Sequence, residues 1–216
     1  MNFLAHLWLS DRAHLPLAGA ILGDTLRGAL PTDMPEPLAC SVQLHRRVDA
    51  ATDRHPRVQA ARSRFQPGAR RYAGILLDVL FDHVLAQDWP GYSGESLSAF
   101  ADRAGRAVAG EGRWFEHAGQ SAPRADRFAA LLVSYRLESG IELALRRTAG
   151  RLRQPQRMLD ALAGWQAHLP GLRAALPLLL DDLGGLAALH PGFDHTHSAR
   201  LPPPKSTRPT RRRRPQ

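Results

Sequence analysis

The sequence predicts an all-α fold: a compact multi-helix domain over residues 1–190, followed by a basic, disordered C-terminal tail over residues 191–216. Three observations carry this prediction. Alanine, leucine and arginine dominate a chain of 216 residues that has only 6% aromatics, and all three are strong helix formers. Apolar residues recur at helical spacing in long blocks. No stretch alternates apolar and polar residues over the length of a strand, and no internal repeat is present. With 44% hydrophobic residues, a chain of this length can bury a sizeable core.

The N-terminal stretch MNFLAHLWLS reads as an apolar helix carrying His6. It has no basic leading region, and no run approaches the roughly 18 apolar residues of a membrane span. Neither a signal peptide nor a membrane anchor is expected, and the reading is a cytoplasmic protein. Residues 15–29 are apolar with Gly19, Gly23 and Gly28 interspersed; such glycines weaken a helix and point to close packing or a nearby site. Residues 35–54 open on Pro-Glu-Pro, suited to a first helical turn, and His55-Pro56 ends that helix. Residues 69–88 form the clearest helix, with Ile75, Leu76, Val79, Leu80, Val84 and Leu85 on a broad apolar face, stopped by Trp89-Pro90-Gly91. Further helices are predicted near 95–109, 123–148, 155–168 and 171–189, with breaks at Gly110-Glu111-Gly112 and Gly150.

The formal charge of +9 suggests nucleic acid at first sight. Its distribution argues against that. Seven basic residues and one acid lie from Pro191 onward, so the tail carries +6 and the body +3. Nucleic-acid binding is therefore expected, if at all, only through the tail, whose other reading is a solvated extension. A single cysteine, Cys40, excludes an internal disulfide framework and reads as a core residue.

Three segments place ionisable groups among apolar ones. Asp24 sits in AGAILGDTLRG; it needs a partner if buried, and helix capping or pairing with Arg27 are the alternatives. In QLHRRVDAATD, His45 and Asp49 are spaced i, i+4, as are Asp49 and Asp53, which stacks them on one helix face. A surface pair flanking Arg46 and Arg47 is the alternative. In LLDVLFDHVL, Asp78 and Asp82 lie one turn apart with His83 adjacent. Two such carboxylates repel unless a cation or an arginine lies between them. Together the three segments offer a mixed imidazole and carboxylate shell, rich in hard oxygen donors, that suits Mn²⁺ or Mg²⁺, with Fe²⁺ also compatible. His6 reads as a core histidine or a residue just behind the site. His14, His55, His117 and His168 read as structural, and His195 and His197 lie in the tail.

MNFLAHL at the start, GDTLRG around Asp24, LHRRVDAATDRHP at 44–56 and LDVLFDHVL at 77–85 resemble the acyl carrier protein phosphodiesterases, a family related to the all-α HD-domain phosphohydrolases. The resemblance runs over roughly residues 1–190 and is tightest in the first 90. It implies Mn²⁺-dependent hydrolysis of the phosphodiester joining 4′-phosphopantetheine to a serine of holo-acyl carrier protein, giving apo-acyl carrier protein and 4′-phosphopantetheine. Here Asp82-His83 stands as Asp-His where HD enzymes carry His-Asp. The ligand candidates are Asp24, His45, Asp78, Asp82 and His83. Asp49 is read as a ligand or as orienting His45, with Asp53 and His6 behind them. Arg46 or Arg47 would meet phosphate; neighbouring helical positions point about 100° apart, so they do not both face the cation with His45. Acyl carrier proteins are small and acidic, so Arg27, Arg47, Arg54 and Arg57 would form a basic rim for that partner. The competing readings are an HD-type hydrolase of nucleotides or another small phosphoester, a binder of anionic partners through the tail, and a helical scaffold without catalysis.

Overall fold

The computed structural model describes residues 2–161 and 163–188. Among them the chain forms eleven α-helices and three short 3-10 turns, with no strand, as the composition and periodicity predict. The tail beyond Pro191, with His195 and His197, lies outside the described residues.

Helix α1 (Phe3–Arg12) is buried from Leu4 to Ser10 and touches α2 (Gly19–Thr25), α3 (Glu36–Arg54), α5 (Ala73–Gln87) and α11 (Leu169–Ala188). The Asn2 side chain does not cap its start. The Leu4 and Ala5 amides donate instead to the two carboxylate oxygens of Asp82, at 2.7 and 3.1 Å. That satisfies donors which a helix N-terminus otherwise leaves without partners. Helix α5 supplies the centre of the core: Leu76, Leu77, Leu80, Phe81, Val84 and Leu85 are all fully buried, each worth on the order of 2 kcal/mol relative to exposure. Helix α11 closes over α5, α3 and α1, and accommodates Pro177 within its length.

The α2–α3 contact is unusually close. A Cβ on Gly19 would strike the Ser41 side chain and lie 3.0 Å from the Leu38 carbonyl oxygen. A Cβ on Gly23 would strike the His45 ring, with His45 Cβ at 2.7 Å. Two glycines one turn apart on α2 thus seat against two residues one turn apart on α3. The three glycines predicted to mark close packing divide accordingly: Gly28 instead takes a left-handed turn, at φ +73°.

Several boundaries differ from the sequence expectation. Residues 56–63, not assigned there, form α4 (Pro56–Ser63): Pro56 occupies the first turn and the His55 side chain accepts from the Arg57 amide. The helix expected over 69–88 begins as a 3-10 turn, Arg70–Tyr72. After α6 (Leu97–Gly110) and the short α7 (Gly112–His117), the single helix expected over 123–148 is two, α8 (Ala125–Ser134) and α9 (Glu138–Ala149). The chain turns between them at Tyr135, whose carbonyl accepts from His83 Nδ1 at 2.6 Å and so ties the turn to α5. The helix expected over 155–168 is α10 (Pro155–Ala161) and a 3-10 turn, Trp165–His168, parted by Gly164 at φ +76°.

Candidate active site

Four ionisable side chains from α1, α2 and α3 converge. Asp49 lies between two imidazoles: His6 Nε2 is 2.9 Å from one of its oxygens and His45 Nε2 is 3.0 Å from the other. Asp24, at the end of α2, brings a second carboxylate to 3.3 Å from His45 Nε2. The two rings stack with centroids 4.0 Å apart. The i, i+4 spacing of His45 and Asp49 places them on one face of α3. The missing side chain of Gly23 lets α2 press against the His45 ring, and so delivers Asp24. Arg46 fixes the loop after α2, donating to the carbonyls of Leu26 and Gly28 at 2.7 and 2.8 Å.

The cluster is half open. Both imidazole side chains are 2% exposed, whereas Asp24 is 55% and Asp49 43% exposed. Histidines form the wall and carboxylates the mouth. Burial tends to lower His45, but Asp24 and Asp49 outweigh it and hold the ring up at about 9. Burial dominates at His6 and lowers it to about 4 despite Asp49. Burial tends to raise Asp49, yet its contacts with His45 and His6 hold it well below the usual carboxylate range.

The ring nitrogens meet these carboxylates at short range but off the N–H axes. All four nitrogens of His6 and His45 are buried without an aligned hydrogen-bond partner. Buried polar atoms left in that condition are rare in folded proteins. His6, His45 and Asp49 each present a donor atom within 4.8 Å of the others, with Asp24 beside them. Two imidazoles and two carboxylates suit a divalent cation such as Mn²⁺, Mg²⁺ or Fe²⁺, so the residues fit the metal that the sequence leads one to expect.

The other candidates lie elsewhere. Asp82 is fully buried, and both of its oxygens hold the α1 amides; burial raises it to about 7 against those hydrogen bonds. His83 is committed to Tyr135 and meets Trp165 edge-on. Asp78 is half-buried on α5. None of the three is among the clustered donor atoms, which corrects the expectation that they complete the ligand shell: Asp82 holds the start of α1 and His83 the Tyr135 carbonyl. Arg46, expected on phosphate, is spent on the α2–α3 loop. Asp53, expected behind the site, pairs with Arg62 at 3.1 Å and ties α3 to α4. Of the rim arginines, Arg27, Arg54 and Arg57 are exposed, while Arg47 is half-buried, with Nε and one terminal nitrogen shielded. His6 moves the other way, from the background into the cluster. No local signal marks it, because its carboxylate partner, Asp49, arrives on α3.

The sequence model describing acyl carrier protein phosphodiesterase matches residues 1–183. The chain belongs to that family. Proteins named acyl carrier protein phosphodiesterase from Salmonella agona (strain SL483) and Salmonella newport (strain SL254) are each 42% identical to it over 110 residues, 50% of this chain. The chain spans 57% of the length of these curated relatives. No solved structure matches it. Among the described residues, no helix is long and apolar enough to cross a membrane. All four members of the cluster fall within the stretch that matches the acyl carrier protein phosphodiesterase family.

Proposed function

We propose that this chain is a metal-dependent phosphodiesterase that hydrolyses the 4′-phosphopantetheine–serine phosphodiester of holo-acyl carrier protein, giving apo-acyl carrier protein and 4′-phosphopantetheine. The observation that carries the reading is the half-open His6–Asp24–His45–Asp49 cluster, whose buried imidazole nitrogens have no aligned partner, in a chain of this family. His6, His45, Asp49 and Asp24 would hold the cation, Mn²⁺ by preference. When bound, it supplies neutralisation of phosphoryl charge and acidification of water near neutral pH.

The protein's own groups do the rest. His6 and His45, locked by burial and stacking, fix the inner wall. Asp49 spans both rings, one oxygen facing each Nε2, and so presents its carboxylate beside the two imidazoles. Asp24, the most exposed of the four, reaches the solvent side where a phosphodiester enters. Arg46 keeps the α2–α3 loop from swinging Asp24 away. Arg27, three residues on from Asp24 and exposed, is placed to meet negative charge arriving there.

The deciding experiment is a Mn²⁺ titration of 4′-phosphopantetheine release from holo-acyl carrier protein by protein stripped of metal, with Asp24→Ala and His45→Ala beside it. Saturable activation, with loss in both variants, is expected. Turnover without added metal, or full activity in both variants, sinks the reading. Hydrolysis of nucleotides in place of holo-acyl carrier protein assigns the chain to small phosphoesters instead.

A further inference from the structure

The body's charge is far from evenly spread. Residues 54–77 contain six arginines and no acid, so the rest of the body to residue 190 carries −3 against their +6. The folded chain spreads this run over the end of α3, α4 and the 3-10 turn before α5. Arg54, Arg57, Arg64, Arg70 and Arg71 are exposed, and Arg62 is tethered to Asp53. Between α4 and α11 lies a cleft of about 240 Å³, lined by Arg57, Arg64 and His168 among small residues such as Ala60 and Ala174. Among the described residues no carboxylate lines it. The His168 ring stacks on Phe65 at 4.1 Å, so its orientation is fixed.

We infer that α4 and the α4–α11 cleft form the docking surface for an acidic protein partner, which on the function proposed above is the acyl carrier protein itself. Two arguments select this occupant. The first is charge: with Arg62 paired to Asp53, five exposed arginines remain, from the end of α3 through α4 to the turn before α5, and such an excess attracts an acidic protein over a Debye length and orients it on arrival. The second is reach. The bond to be cut is borne by a serine of the partner, so the partner's body must sit against the protein next to the cluster. Arg54, where the basic run begins, lies five residues beyond Asp49 on α3, about 7.5 Å along the helix axis, and α4 comes directly after it. A small phosphoester would need no such surface.

The test compares two double charge reversals in the full-length, Mn²⁺-loaded protein: Arg57→Glu with Arg64→Glu in the docking surface, and Arg106→Glu with Arg127→Glu on exposed positions of α6 and α8. Both change net charge equally, and thermal melts confirm that each is folded. For holo-acyl carrier protein at low ionic strength, KM of the first pair should rise about tenfold, with the gap narrowing to about twofold in 0.5 M salt. The second pair should leave KM within about twofold. Equal KM shifts in the two pairs, or none in the first, overturn the docking surface while leaving the hydrolytic reading in place. A wild-type protein that does not turn over holo-acyl carrier protein at all overturns the hydrolytic reading, and this inference with it.

Discussion

Replacing Gly23 with alanine is expected to destabilise the protein and to cost most of its activity, although the same change in an ordinary helix would do the reverse. Glycine inside a helix is about 1 kcal/mol worse than alanine, so propensity alone predicts a gain. The structure predicts a loss. The added methyl would occupy space already held by Cγ and Cδ2 of His45, with His45 Cβ only 2.7 Å away. Restoring ordinary carbon–carbon contact needs about 1 Å of separation. The His45 ring cannot retreat freely, being 2% exposed and stacked 4.0 Å from His6. If α2 retreats instead, Asp24 leaves its 3.3 Å contact with His45. Overpacking of this kind costs about 1–3 kcal/mol, and a 1 Å displacement of a reacting group costs on the order of 10²-fold in rate. The assay is a thermal melt together with kcat for holo-acyl carrier protein hydrolysis. Gly94→Ala serves as control, since a Cβ there meets nothing within 4 Å. A Gly23→Ala protein as stable and as active as the control would refute the close-packing argument.

Three further outcomes are expected. Asp49→Asn removes the charge that faces both His6 and His45; Mn²⁺ affinity and turnover should each fall on the order of 10–100-fold, and titration of activity with metal would expose an unaffected site. Cation binding at pH 7 should release about one proton, because His45 is held protonated up to about 9 whereas His6, lowered to about 4, is already neutral. Affinity should therefore climb with pH by up to about tenfold per unit below that value; calorimetry in two buffers of different ionisation enthalpy counts the proton, and none released contradicts the assignment. Burial raises Asp82 from 3.8 to about 7, so between those values the folded state retains a proton that the unfolded chain has lost. Its contribution to stability thus falls as pH rises through that window. Asp82→Asn should flatten the profile there, and denaturant melts at pH 5 and 7.5 that show the same slope in both proteins would exclude this.

The helical class and the strongest elements were legible because they rest on local patterns. The apolar face of α5 needs only its own residues to be read, and Pro56 after His55 marks the end of α3 without help from elsewhere. The α8–α9 turn was not legible, and the contact that holds it to the core comes from His83, fifty-two positions away in the chain. The site divides in the same way. His45 and Asp49 share a helix face, so spacing alone paired them. Asp82 misled because a carboxylate inside an apolar helix has two physical solutions, a cation or a set of backbone amides. Which of them applies depends on where the start of α1 comes to rest. His6 was undervalued for the converse reason, since nothing near it in sequence is acidic and its partner arrives on α3. The arginine run at 54–71 was visible in the sequence but was hidden by averaging charge over the whole body.

Helix α2 has seven residues, short of the roughly 12–15 at which an isolated helix begins to persist in water. It is helical because it is docked. Asp24 is therefore supplied by an element with its own opening equilibrium, separate from global unfolding. Any ligand gripped by Asp24 and His45 together binds only the docked form, and by mass action draws α2 down onto α3. Occupancy of the site and protection of the α2 amides are then two readings of one quantity, and hydrogen exchange at Ile21 and Leu22 would track ligand concentration even if no atom of the core moved.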